Sequence, residues 1–121
     1  MEKQREISDA ELTVMQILWK SDKAMKVQEV CDDPECQKWE YRTVATLLLR
    51  LTEKGAVKMT KVNNVNYYTP VLDKADYTKS QTKTFIQRLY NGSVKELAVS
   101  LFRSEEMTDA DIEEIRKMFK L

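Results

Sequence analysis

The sequence predicts a mainly α-helical fold that carries one small β-ribbon. Three observations predict it. Apolar residues recur at helical spacing in six separate segments. One stretch, Val57 to Thr69, instead alternates residue by residue around a central Asn63-Asn64. Cap and breaker residues fall between these segments and not inside them.

The first helix opens at Ser8-Asp9-Ala10-Glu11. Ser8 is placed to cap the first turn while Glu11 reaches back, the reciprocal arrangement of a capping box. Leu12, Met15, Leu18 and Trp19 follow near the 3.6-residue period, and the helix should stop near Ser21-Asp22. A second helix is expected from Met25 to Cys31 with Val27 and Val30 inward. Asp32-Asp33-Pro34-Glu35 then breaks the chain, since Pro34 lacks a donor and restricts Asp33.

A third helix is expected from Tyr41 to Lys54. Val44, Leu47, Leu48 and Leu51 stand at i, i+3, i+4 and i+7 and form one buried stripe, and Gly55 suits the position after the helix. Trp39 and Tyr41 bracket its start and are expected to anchor the turn. Next come two strands, Val57–Val62 and Val65–Thr69, joined by Asn63-Asn64 and ended by Pro70. Tyr67 and Tyr68 alternate, so one should pack inward and the other face out.

Past Leu72 the pattern is helical again. Asp73 or Asp76 caps a helix that reaches Tyr90, and Asn91-Gly92 ends it. Ser93 caps a short helix, and Thr108 with Asp111 caps the last one. The domain organisation read from this order is 1–72 for three helices and a ribbon, and 73–121 for three further helices. In the second part Phe85, Leu89, Leu97, Leu101, Phe102, Ile112, Ile115, Met118 and Phe119 are too many apolar residues for so short a unit to cover alone. A second copy of the chain is the expected cover; packing back onto the first part is the competing arrangement.

The 121 residues include 20 basic and 20 acidic ones, so net charge names no partner. Distribution is more telling. Tyr41 to Lys61 holds five basic residues against Glu53 alone, whereas Glu105 to Glu114 holds six acids and no base. There is no histidine, hence no ready general base or metal ligand of the commonest kind. Two glycines exclude a glycine-rich phosphate loop. No catalytic constellation is present, and neither an enzyme nor a cofactor is expected. Cys31 and Cys36 cannot by themselves complete a tetrahedral zinc site, so reduced thiols are expected. No apolar run reaches membrane-spanning length and the polar opening Met1–Glu6 is no secretory signal, which makes a cytoplasmic location the expectation.

Helix, helix, helix, ribbon is the order of a winged-helix DNA reader. With its apolar stripe turned inward, the third helix presents Arg42, Thr46, Leu49 and Glu53, flanked by Thr43, Ala45 and Arg50. A helix fits the major groove, where each base pair shows its own pattern of donors, acceptors and methyls. Arg42, Thr43, Ala45, Thr46 and Leu49 are therefore the candidates for base edges. Tyr41, Arg50, Lys54, Lys58 and Lys61 are the candidates for phosphates, which fix register without reading sequence. Asn63 and Asn64 stand at the tip of the wing. Two rival readings use the same residues: a solvent-facing helix in a protein-interaction adaptor, or a metal- or redox-responsive repressor acting through Cys31 and Cys36.

Ile7-Ser8-Asp9-Ala10-Glu11-Leu12-Thr13-Val14-Met15-Gln16-Ile17-Leu18-Trp19 resembles the opening of the penicillinase and methicillin-resistance repressors, a family with a copper-responsive branch. Trp39 to Gly55 resembles its recognition helix, and Tyr67-Tyr68-Thr69-Pro70 the end of its wing. The resemblance implies a bacterial homodimeric repressor of double-stranded operator DNA, dimerised through its C-terminal helices. It also implies relief of repression when a membrane sensor-protease pathway leads to cleavage in the C-terminal region, here at Ser100, Leu101 and Phe102. The β-lactam branch often carries Arg where this chain has Ala45, and its cleaved bond is Asn-Phe, whereas Val99-Ser100-Leu101-Phe102 holds no Asn. The cysteine-rich tail of the copper branch has no counterpart before Leu121.

Overall fold

A computed structural model describes residues 6–119. The polar opening read above as no signal sequence lies, up to Arg5, outside the described residues. The elements are α1 (Asp9–Lys20), α2 (Val27–Cys31), a 3₁₀ turn (Pro34–Cys36), α3 (Tyr41–Glu53), β1 (Val57–Val62), β2 (Val65–Pro70), α4 (Lys74–Tyr90), α5 (Val94–Arg103) and α6 (Asp109–Phe119). This is the expected class, mostly helical with one hairpin. The chain forms two compact units, the first ending at Asp76 and the second starting at Tyr77.

In the first unit, local chemistry sets the element ends. The Ser8 hydroxyl accepts from the Glu11 amide at 3.1 Å and the Glu11 carboxylate accepts from the Ser8 amide at 2.8 Å, which closes the capping box. At the end of α3 the Ala56 amide donates to the Leu51 carbonyl and the Gly55 amide to that of Thr52. That double bond pattern needs a left-handed residue, and Gly55 supplies it at φ +79°. The chain is thereby turned from α3 straight into β1.

Val14, Met15 and Leu18 of α1, Val30 of α2, and Val44, Leu48 and Leu51 of α3 are wholly buried together, with Val57 and Tyr68 of the ribbon against them. The ribbon is antiparallel, in register from Val57↔Pro70 to Val62↔Val65. Asn63 and Asn64 turn it with φ of 51° and 65°, the two positive values that a tight two-residue hairpin demands. Tyr68 packs inward and Tyr67 is half-buried, as the alternation requires. Trp19 donates its indole N–H to the Leu72 carbonyl at 2.8 Å and so ties the chain beyond β2 to α1.

Met25 departs from the expectation. It is not helical: its amide and carbonyl exchange hydrogen bonds with Tyr68 at 3.0 and 2.8 Å, a one-residue bridge onto β2. A backbone already committed to β2 cannot enter a helix, so α2 starts two residues later, after Lys26 in an extended conformation. The gain is a third backbone partner for a ribbon that would be marginal alone.

In the second unit, Ser93 caps α5 and the Thr108–Asp111 pair exchanges reciprocal bonds at the start of α6. Asn91 and Gly92 both take positive φ and end α4. Neither α5 nor α6 buries any described side chain. Phe85, Leu89, Leu101, Phe102, Met118 and Phe119 are exposed, and Leu97, Ile112 and Ile115 half-buried. No described helix is long and apolar enough to cross a membrane.

Candidate nucleic-acid interface

The stripe Val44, Leu47, Leu48 and Leu51 holds α3 against the core, so its opposite face is outward by geometry. Arg42, Thr43, Leu49 and Arg50 are exposed there, and Leu49 keeps 55% of its surface in solvent. Thr46 is half-buried, and its hydroxyl donates to the Arg42 carbonyl at 2.9 Å, leaving the oxygen free to accept. Ala45 is less available than the pattern suggested. It sits at the edge of the stripe and packs partly against the core.

Of the two aromatics at the start of α3, only Trp39 anchors. It packs on the core with the Lys38 ammonium 5.0 Å from its ring. Tyr41 remains 56% exposed. An open cleft lies beside it, lined by Lys26, Val27 and Gln28 at the start of α2, Tyr41 at the start of α3, and Asn64, Val65 and Asn66 on the wing. The cleft joins wing and recognition helix in one concave surface. Asn66 lines it, and its side-chain oxygen is buried with no hydrogen-bond partner among the described residues.

Lys26, Gln28 and Asn66 are candidate contacts that sequence reasoning missed. A signal existed for Gln28, since Val27 and Val30 inward turn Gln28 outward. None existed for Asn66, whose place depends on the ribbon folding over α2.

The structure separates two lysines that were grouped. Strand alternation places Lys61 on the ribbon face of Val57 and Tyr68, which are buried, and Lys58 on the opposite face with Tyr67 and Thr69. Both are exposed, yet they do not form one patch.

Lys54 is engaged within the first unit. Its ammonium does not lie on the outward face but at 2.5 Å from the Glu11 carboxylate, and it also donates to the Glu6 carbonyl at 2.7 Å. As the cap residue of α3, Lys54 lies where the helix meets the N-terminus of α1, so its stem runs inward. Burial acts to raise the pKa of Glu11, but the hydrogen bonds from Lys54 and Ser8 outweigh it and hold the carboxyl below its usual range. A cation so engaged must leave Glu11 before it can meet a phosphate.

Cys31 is half-buried and Cys36 fully buried. Burial raises both thiol pKa values, helped by Asp32 beside Cys31 and by Asp33 beside Cys36, so both are held in the protonated, unreactive form. Among the described residues no group of three or more potential ligands is placed to hold a metal.

The penicillinase repressor family model matches residues 7–120. The chain belongs to the penicillinase repressor family. It is 31% identical over 120 residues to the penicillinase repressor of Bacillus licheniformis, covering 99% of this chain and 94% of that one. It is 35% identical over 117 residues to the penicillinase repressor of Staphylococcus aureus, covering 94% and 90%. Its fold is similar to the solution structure of the monomeric form of Bacillus licheniformis BlaI in complex with the blaP half-operator. The TM-score is 0.51, with 42% identity over 64% of this chain and 94% of that one. The resemblance read from the sequence motifs is thus established as membership of the family.

Proposed function

We propose that this member of the family is a transcriptional repressor that binds double-stranded operator DNA as a homodimer. The observation that carries the reading is the outward face of α3, where Arg42, Thr43, Leu49 and Arg50 are exposed, together with a wing bearing Lys61 and a cleft at the start of α3 bearing Lys26. The half-operator complex of the Bacillus relative supports it. In this reading α3 enters the major groove, with Arg42, Thr43, Thr46 and Leu49 toward base edges and Ala45 at the margin. Tyr41, Arg50, Lys58 and Lys61 contact phosphates, Lys26 and Gln28 extend that contact, and Asn63 and Asn64 reach the neighbouring groove.

Two copies follow from the uncovered apolar surface of α4, α5 and α6, and a two-fold dimer matches a dyad operator with half-sites one or more helical turns apart. Losing the linkage between two weak readers removes their effective-concentration gain. Relief of repression by proteolysis acts through that loss. Ser100, Leu101 and Phe102 stand in α5, so the helix must open locally before a protease can accept it. The regulated genes are β-lactam resistance genes and the signal comes from a membrane sensor-protease pathway.

The test is fluorescence anisotropy on a duplex from the region upstream of the chain's own gene, against a scrambled duplex, over a range of salt. Specific binding that weakens steeply with salt is expected. Absence of binding to either duplex at low salt overturns the reading and leaves a protein-interaction adaptor as the use of this surface. A reporter on the same upstream region, with and without a β-lactam, tests the induction step.

A further inference from the structure

The second unit carries a charge division that DNA binding does not use. From Tyr77 to Ser104 it holds Lys79, Lys83, Arg88, Lys95 and Arg103 against Glu96 alone. From Glu105 to Glu114 it holds six acids and no base. Lys20–Asp33, Lys23–Glu29 and Lys54–Glu11 pair within the first unit, and among the described residues no ion pair joins the basic and acidic halves of the second.

Each half borders uncovered apolar surface. Lys83 and Arg88 line one shallow recess on α4 with Thr84 and Gln87, and Arg88 also borders the neighbouring one that holds Phe85 and Leu97. On α6, helical spacing sets Ile112, Ile115 and Phe119 along one stripe, with Asp109 and Arg116 at one margin, Asp111 at the other, and Glu113 and Glu114 on the far side. A surface with an apolar centre and a charged rim is that of a protein interface. The occupant that fits the basic recess is an apolar helix edged with acid, and α6 of a second copy has that composition.

We propose that the two copies select one another by charge exchange, the acidic start of α6 from each copy seating on the basic α4 of its partner. This rests on the homodimer proposed above and adds what sets its register. Apolar burial holds the copies together without direction. The matched charges reject the parallel alternatives, in which α4 would meet α4 or α6 meet α6 with like charges opposed.

The test uses the full chain in sedimentation velocity. One variant reverses the basic side, Lys83→Glu with Arg88→Glu; the other reverses the acidic start, Glu106→Lys with Asp109→Lys. Asp111 is left in place because it caps α6. Each variant alone is expected to self-associate about tenfold or more weakly than the parent, since both of its exchange contacts become like-charged. An equimolar mixture is expected to recover parental affinity, because every contact in the heterodimer is again matched. Circular dichroism of each variant verifies helix content, and only variants with parental helix content are compared. The parent needs no substitution to be informative: its dimer is expected to weaken severalfold between about 0.05 and 0.5 M salt, over which the Debye length shrinks from roughly 14 to 4 Å. Folded variants that dimerise like the parent, a mixture that fails to recover, or a salt-insensitive dimer overturn charge exchange while leaving the homodimer intact. A parent that stays monomeric overturns the homodimer itself.

Discussion

The Lys54 ammonium lies 2.5 Å from the Glu11 carboxylate, which joins the C-terminal cap of α3 to the first turn of α1 across 43 residues of sequence. Glu11 is only 2% exposed, and its carboxylate also accepts from the Ser8 amide. The pair sets the end of the recognition helix against the helix that backs it. Removing the cation alone strands a buried carboxylate. Lys54→Met should therefore destabilise the first unit by about 3 kcal/mol, at the low end for a buried pair because Lys54 keeps part of its side chain in solvent. Glu11→Gln with Lys54→Met should recover part of that loss. Urea denaturation followed by tryptophan fluorescence measures both, and equal midpoints for parent and Lys54→Met would remove the pair from the account.

The same carboxyl gives an acid limb. A group whose pKa is lowered on folding contributes stability above its unfolded value, ordinarily 4.5, and loses that contribution as pH falls through the lower folded value. Stability should accordingly drop with acid below about pH 4.5, and Glu11→Gln should flatten the drop. Denaturation midpoints from pH 7 down to pH 3 check the slope; an unchanged slope in Glu11→Gln assigns the acid sensitivity elsewhere.

Arg42 and Lys58 should fail differently. Arg42→Ala is expected to weaken operator binding by about 1–3 kcal/mol and to relax sequence preference, if its contact is a two-pronged one to a guanine edge. Equal losses on operator and random duplex would make it a phosphate clamp. Lys58→Ala is expected to weaken both duplexes alike and to make the salt dependence shallower by about one unit. No change of slope would take Lys58 out of the contact set.

The wing turn separates conformational from contact effects. Asn63 and Asn64 both hold positive φ, which β-branched residues tolerate poorly. Asn64→Val should cost about 1–2 kcal/mol of stability, whereas Asn64→Gly should fold as well as the parent. If Asn64→Gly nevertheless weakens operator binding, the side chain itself touches DNA. If binding is unaffected, the residue serves only the turn.

Element ends were legible because their causes are local. Ser8 with Glu11, Gly55, Asn63-Asn64, Ser93 and Thr108 with Asp111 each act within a few residues of their own position, and the structure keeps every one. The opposition of Lys58 and Lys61 was legible too, since a spacing of three in a strand always sends side chains to opposite faces. The bridge of Met25 to Tyr68 and the orphaned oxygen of Asn66 were not, because each depends on segments that only the packed core brings together.

Chain order and periodicity alone settled that three helices and a hairpin come first and that α3 turns Val44, Leu47, Leu48 and Leu51 inward. Which cations then remain on the surface was decided by packing. An exposed-looking Lys54 was drawn to Glu11 because a buried carboxylate lacking a cation is far costlier than a solvated lysine left single, and no pattern within α3 records where α1 will lie.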